Sequence, residues 1–118
     1  MNKFQNGIIY CIRCKTTNGL YIGSSIEPLN TRISKHITDM KGYLGLNKKY
    51  RCYRSSFEVL FNENYEVGII EEYPCHNKRE LEIRETLHIL NNPECVNVRV
   101  PIKVKKEDYD LSKLPMLP

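Results

Sequence analysis

Five side chains of this sequence have the types needed to work on a phosphate ester: the phenols of Tyr10 and Tyr21, the guanidinium of Arg32, the imidazole of His36 and the carboxylate of Glu85. In-line attack by water on a phosphodiester needs a proton acceptor, a cation at the developing negative charge and help for the leaving oxygen. Arg32 can give a bidentate fork to a phosphate. Glu85 can hold one divalent ion, with waters and phosphate at the remaining positions. No second carboxylate falls on the same helical line as Glu85, so one ion suits the sequence better than two. A free phenol titrates at about 10, so Tyr10 can activate water only with cations beside it. Arg32, the metal or Lys15 could supply that charge. Tyr21 would orient water or phosphate, and His36 could donate to a phosphate or relay a proton. Tyr10 and His36 both stand as candidates for the base, and Lys15 could itself serve if the turn twists it round to their face.

The elements that must position these groups follow from local pattern. Gly7 to Ser25 reads as two strands, Ile8–Lys15 and Leu20–Ser24, joined at Asn18-Gly19, a pair suited to a type I′ turn. An even loop pairs Thr16 with Tyr21 and Cys14 with Gly23. Tyr10, Ile12 and Cys14 then share a face with Tyr21 and Gly23, where the glycine leaves room for a backbone or a phosphate. Ile9, Cys11, Leu20 and Ile22 face the opposite way, toward a core, and parity puts Lys15 on that side too.

A helix opening at Pro28 carries Leu29, Ile33, Ile37 and Met40 as an apolar stripe. Arg32 and His36, four apart, stack on one flank of it, where a solvated basic edge is the plain alternative. Lys41 to Arg54 reads as a loop with some irregular helix. Its Lys48, Lys49, Arg51 and Arg54, interleaved with Tyr50 and Tyr53, suit nucleic-acid backbone and stacking contacts. Ser55 and Glu58 form a capping-box pattern for a short helix. Tyr65–Glu72 reads as a third strand, ended by Pro74. The last helix spans Lys78 to Leu90, with Asn77 as N-cap. On it Glu85 lies between Leu81 and Ile89, and a buried carboxylate needs a cation, a donor or a proton. A salt bridge to Arg32 or another base would satisfy it, and so would a divalent metal.

Ile8-Ile9-Tyr10, followed eleven residues after that tyrosine by Tyr21-Ile22-Gly23, resembles the signature of the GIY-YIG nuclease superfamily. The second triplet is intact, while Ile8 stands where the first expects glycine and Gly7 lies one place early. Arg32 and His36 resemble the family's helical motif, Glu85 its helical glutamate, and Asn97 the asparagine it carries after that helix. The resemblance runs from Gly7 to about Arg99. It implies an α+β domain, a three-stranded, mainly antiparallel sheet flanked by helices. It also implies a metal-dependent DNA endonuclease with one Mg²⁺ or Mn²⁺ on Glu85. The catalytic set expected is Tyr10, Tyr21, Arg32, His36 and Glu85, and Lys15, Gly23, Lys48, Lys49, Arg51 and Asn97 are expected to meet the substrate. Specificity would come from the Lys41–Arg54 loop, from homodimerisation or from a partner protein.

The 118 residues suit one domain over residues 1–100 with a charged, then Pro/Leu-rich tail over 101–118 that packs partly or not at all. A net charge of +4 is compatible with a polyanion without demanding one. No apolar run approaches a membrane span and the N-terminus lacks a signal-peptide core, so a reducing cytoplasm or nucleus is the expected setting. The five cysteines include Cys11-x-x-Cys14, half a zinc site that Cys52, Cys75, His76 or Cys95 could complete. A strand sends Cys11 and Cys14 to opposite faces, which favours free thiols. Two rival readings follow: a catalytically inactive nucleic-acid-binding module of the same fold, and a small zinc-binding interaction domain.

Overall fold

The computed structural model describes residues 2–45 and 54–118. Three strands, β1 (Ile8–Cys14), β2 (Leu20–Ser25) and β3 (Tyr65–Glu72), form an antiparallel sheet in the order β2-β1-β3. The central β1 is almost wholly buried, as its run of Ile, Tyr and Cys requires of a strand covered on both faces. Helices α1 (Leu29–Tyr43) and α2 (Phe57–Leu60) cover one face, and α3 (Lys78–Asn91) packs on the other. Tyr10, Ile12 and Cys14 meet Ile33, Met40, Phe57 and Leu60 on the first face. Ile9, Cys11, Leu20 and Ile22 meet Leu81 and Ile89 on the second. Cys11 and Cys14 therefore point to opposite sides of the sheet. No helix among the described residues is long and apolar enough to cross a membrane.

The hairpin register differs from the expected one. Tyr10 pairs with Gly23 and Ile12 with Tyr21, rather than Cys14 with Gly23 and Thr16 with Tyr21. Four residues, Lys15 to Asn18, make the loop, closed by Cys14 N–H donating to the Gly19 carbonyl at 2.9 Å. Asn18 takes the left-handed conformation at φ 64° and Gly19 does not, so the turn is not type I′. Because the slip is by an even number of residues, the two tyrosines still share a face. Other local expectations shift as well. α1 runs on through Tyr43, into the stretch read as loop. Ser56 occupies the N-cap of α2 without a side-chain cap, while the Ser55 hydroxyl accepts from Val98 N–H at 3.4 Å, so the capping box does not form. Asn77 does cap α3, accepting from Glu80 N–H at 3.0 Å.

A register shift between Ile9 and Tyr10 lets β3 insert one extra residue opposite β1. Such a bulge turns two successive residues, Ile70 and Glu71, toward α3. Glu71 there accepts from Arg84 and from His88 Nε2, the latter at 2.7 Å. Residues after Pro101 return across α3: Ile102 N–H reaches the Thr86 hydroxyl at 3.4 Å, Leu114 is buried and Leu117 joins the second core.

Gly23 carries the tightest packing constraint in β2. A Cβ placed there would lie 2.5 Å from the Tyr10 hydroxyl oxygen and 2.6 Å from its ring carbon. Gly23→Ala should therefore destabilise the fold by about 1–3 kcal/mol through overpacking, read as a lower urea midpoint with an unchanged slope. A midpoint equal to the parent's would show that the ring has room to move.

Candidate active site

Strand pairing and helical spacing together bring the sequence-identified groups to the β2 edge of the sheet. Tyr10 lies on central β1, opposite Gly23, with its ring lying over that glycine. Tyr21 on β2 stands beside it, ring centroids 6.4 Å apart. From α1, His36 packs edge-on against both tyrosine rings, at 6.0 Å and 5.4 Å. Its Nε2 is 2.6 Å from the Tyr10 hydroxyl and its Nδ1 is 2.9 Å from the Ser56 hydroxyl. A neutral imidazole donates at one nitrogen and accepts at the other, so Tyr10, His36 and Ser56 form one continuous hydrogen-bonded chain. Tyr10 and Ser56 are fully buried and His36 is 2 % exposed. Tyr21 is partly open, and with Arg32 and Glu85 it lines a cleft of about 630 Å³.

Burial sets the protonation of this cluster. It pushes the Tyr10 phenol well above its ordinary value, with Tyr21 adding to the effect and Arg32 opposing it. The Tyr21 phenol is raised by burial and by Glu85, against Arg32 and Arg54. Burial, helped by Arg32 and Arg54, lowers His36 to about 4, so the ring is neutral at neutral pH. Both phenols keep their protons in the resting site.

Glu85 arrives from the other layer of the fold. α3 lies on the face opposite Tyr10, and the carboxylate reaches the site around β2, where the Ser24 hydroxyl donates to its Oε1. Among the described residues no ion pair joins it to Arg32 or to another base. Burial raises Glu85 to about 7, with the Ser24 hydrogen bond opposing, Glu82 adding and Arg32 opposing. A carboxylate held at that value with one hydroxyl donor is short of positive charge.

Of the remaining expected contacts among the described residues, Asn97 lines the cleft, and Lys15 and Gly23 do not. Lys15 lies in the β1–β2 loop and pairs with Glu66 at 3.2 Å, away from the cleft. The space over Gly23 is filled by the Tyr10 ring, which leaves no opening there for a phosphate. Asn97 accepts from Ile22 N–H at 3.0 Å and donates to the Ile22 carbonyl at 2.8 Å, so both ends of its amide are spent on the free edge of β2. Lys48, Lys49 and Arg51 lie outside the described residues. Two residues escaped the sequence reading, Ser56 behind His36 and Ser24 on Glu85. Ser24 directly follows the Tyr21-Ile22-Gly23 triplet, and alternation places it across from Gly23, toward α3; that parity was the available signal. Nothing local marks Ser56.

The family model for the GIY-YIG catalytic domain matches residues 6–92. The chain is similar in structure to the catalytic domain of homing endonuclease I-TevI, with a TM-score of 0.54, 23% identity and coverage of 79% of this chain and 98% of that one. A mutant of the catalytic domain of intron endonuclease I-TevI gives a TM-score of 0.59 at 22% identity, covering 83% and 98%. At these identities the likeness is one of fold. No curated protein matches the sequence.

His36 and Glu85 make opposite demands on stability as pH changes. His36 is lowered in the fold from 6.5 to about 4, so between those values the unfolded chain binds more protons and stability falls as pH falls. Glu85 is raised from 4.5 to about 7, so its contribution is full below 4.5 and is lost as pH rises through 7. His36→Gln should reduce the loss on acidification by up to about 3 kcal/mol. Glu85→Gln should remove the offsetting gain. Urea unfolding of both variants across this range checks the signs; curves parallel to the parent's would refute them.

Proposed function

We propose that this chain, which belongs to the GIY-YIG catalytic-domain family, is a divalent-metal-dependent DNA endonuclease that hydrolyses phosphodiester bonds at the β2 edge. The observation that carries the reading is the convergence there of Tyr21, Arg32 and Glu85 on one cleft, with Tyr10 and His36 directly behind.

The donor set fits a hydrated Mg²⁺ or Mn²⁺. Glu85 is a partly buried carboxylate raised toward neutrality, which a cation would compensate. Among the described residues no group of three or more His, Cys, Asp or Glu side chains could enclose a metal. A hard ion held through one carboxylate, with waters and a substrate phosphate, matches that donor set, and a closed zinc site does not. Bound at Glu85, such an ion would supply positive charge to a phosphate oxygen and to the departing oxygen. The Ser24 hydroxyl donates to one carboxylate oxygen, Oε1.

The chain's own residues supply the rest. The Arg32 guanidinium has no carboxylate partner within ion-pair reach among the described residues, so it is available to a phosphate. Tyr21 is the phenol that faces the cleft, and Tyr10 is the one behind it. A water poised for in-line attack would give its proton to the Tyr21 oxygen, while the Tyr21 proton moves toward Tyr10 and on to His36 Nε2. Ser56 then accepts from Nδ1–H and stabilises the charged ring. Tyr10 thus serves as a relay, and the solvent-facing role passes to its neighbour.

Nicking of supercoiled plasmid tests the reading. Mg²⁺ or Mn²⁺ should support it and EDTA should stop it. Glu85→Ala should reduce the rate by about 10²-fold or more with the fold intact, and Glu82→Ala should leave most of it. Activity should rise with pH as Glu85 ionises, with the metal moving that step below about 7. Binding without nicking under either ion would leave a DNA-binding module of the same fold, and equal activity in the Glu85 and Glu82 variants would displace Glu85 from the site.

A further inference from the structure

The cleft has a second wall besides α1. Residues 54–55 and 97–101 form it, joined by Val98 N–H donating to the Ser55 hydroxyl at 3.4 Å and tied to β2 through Asn97. It presents two guanidiniums, those of Arg54 and Arg99. Arg54 meets only a loose partner, Asp39 at 3.7 Å, and its side chain is 60% exposed. Arg99 is exposed and enters no ion pair among the described residues. The charge of Arg54 reaches into the site, where it lowers both Tyr21 and His36. Arg32 brings a third guanidinium from the α1 side.

Three guanidiniums facing one concave space, with a single loose carboxylate partner between them, call for anions. One scissile phosphate beside Tyr21 can occupy Arg32. The other two stand on the second wall, with Val98 78% exposed beside Arg99. Arginine suits phosphate oxygens through its planar fork, and such contacts position a nucleic-acid strand without reading its bases.

We infer that Arg54 and Arg99 form a second phosphate-binding wall, gripping the backbone of the cleaved strand next to the scissile bond. The inference rests on the nuclease reading and adds to it the surface that holds the strand in register. The wall belongs partly to the segment after α3, so residues past the helical glutamate take part in substrate binding.

The test is equilibrium binding of a fluorescein-labelled DNA duplex of about 20 base pairs in EDTA, over a series of salt concentrations. Each neutralised phosphate contact contributes about 0.9 to the slope of log affinity against log salt. Arg54→Gln and Arg99→Gln should each lower the slope by about 1, and the double variant by about 2, with weaker affinity for every duplex sequence. Arg54→Lys and Arg99→Lys should restore most of the slope, because lysine keeps the charge. In nicking assays the loss should fall on KM more than on kcat. A double variant with the parent slope, or a loss that lysine does not restore in a chain with the parent's circular dichroism, overturns the inference. If the parent protein nicks plasmid while that happens, the nuclease reading stands and only the wall fails. A parent that never nicks removes the reading on which the wall depends.

Discussion

Side chains on opposite faces of a β-sheet cannot touch through it; they meet only around an edge. The site depends on this constraint. Tyr10 and Tyr21 belong to the α1 layer and Glu85 to the α3 layer, so they can share a cleft only because β2 is an outer strand. An outer strand also exposes unpaired backbone groups, which are a liability. Here Val96 N–H donates to the Leu20 carbonyl at 2.7 Å, and the Asn97 amide satisfies both polar groups of Ile22. Ser24 is next along the edge, and there Glu85 comes up. Asn97 thus completes the sheet beside the site and anchors the wall that carries Arg99.

Behind the open part of the cleft lies a buried, hydrogen-bonded layer. Tyr10 fits only because its sheet partner lacks a Cβ, and its hydroxyl is held by a histidine that burial keeps neutral. Leaving any of these polar atoms unpaired would cost about 1–3 kcal/mol, so the three-member chain from Tyr10 through His36 to Ser56 fixes the ring positions. The two tyrosines differ in setting: Tyr21 is partly open to the cleft, and Tyr10 is buried against His36.

Much of this was legible in the amino-acid order. Residue pattern located all three strands and both long helices, and parity alone placed Tyr10, Tyr21 and Gly23 on one face. The resemblance in the two triplets and in Arg32, His36 and Glu85 pointed to the right family. Register was not legible, because Asn18-Gly19 carries a strong two-residue turn signal while the observed loop of four residues places only Asn18 at positive φ. Gly23 and Asn97 have uses within the fold that the amino-acid order did not show, for a common reason. Both residues suit a ligand as well as a neighbour, and only coordinates show that the Tyr10 ring and the Ile22 backbone had already claimed them. Lys15 drew attention as a cation near a tyrosine in sequence, although five residues of extended chain carry it to the far end of the hairpin, beside Glu66.

The extra residue in β3 bears on how such chains are read. Tyr65, Val67, Ile69 and Glu72 fall on one side, and Glu66, Gly68, Ile70 and Glu71 on the other. The poor alternation of YEVGIIEE is therefore two clean alternations joined by a phase slip of one position. An irregular hydropathy record of this kind marks where a strand changes step. The residue delivered to the opposite layer by that change is a carboxylate, with an arginine and a histidine waiting to receive it.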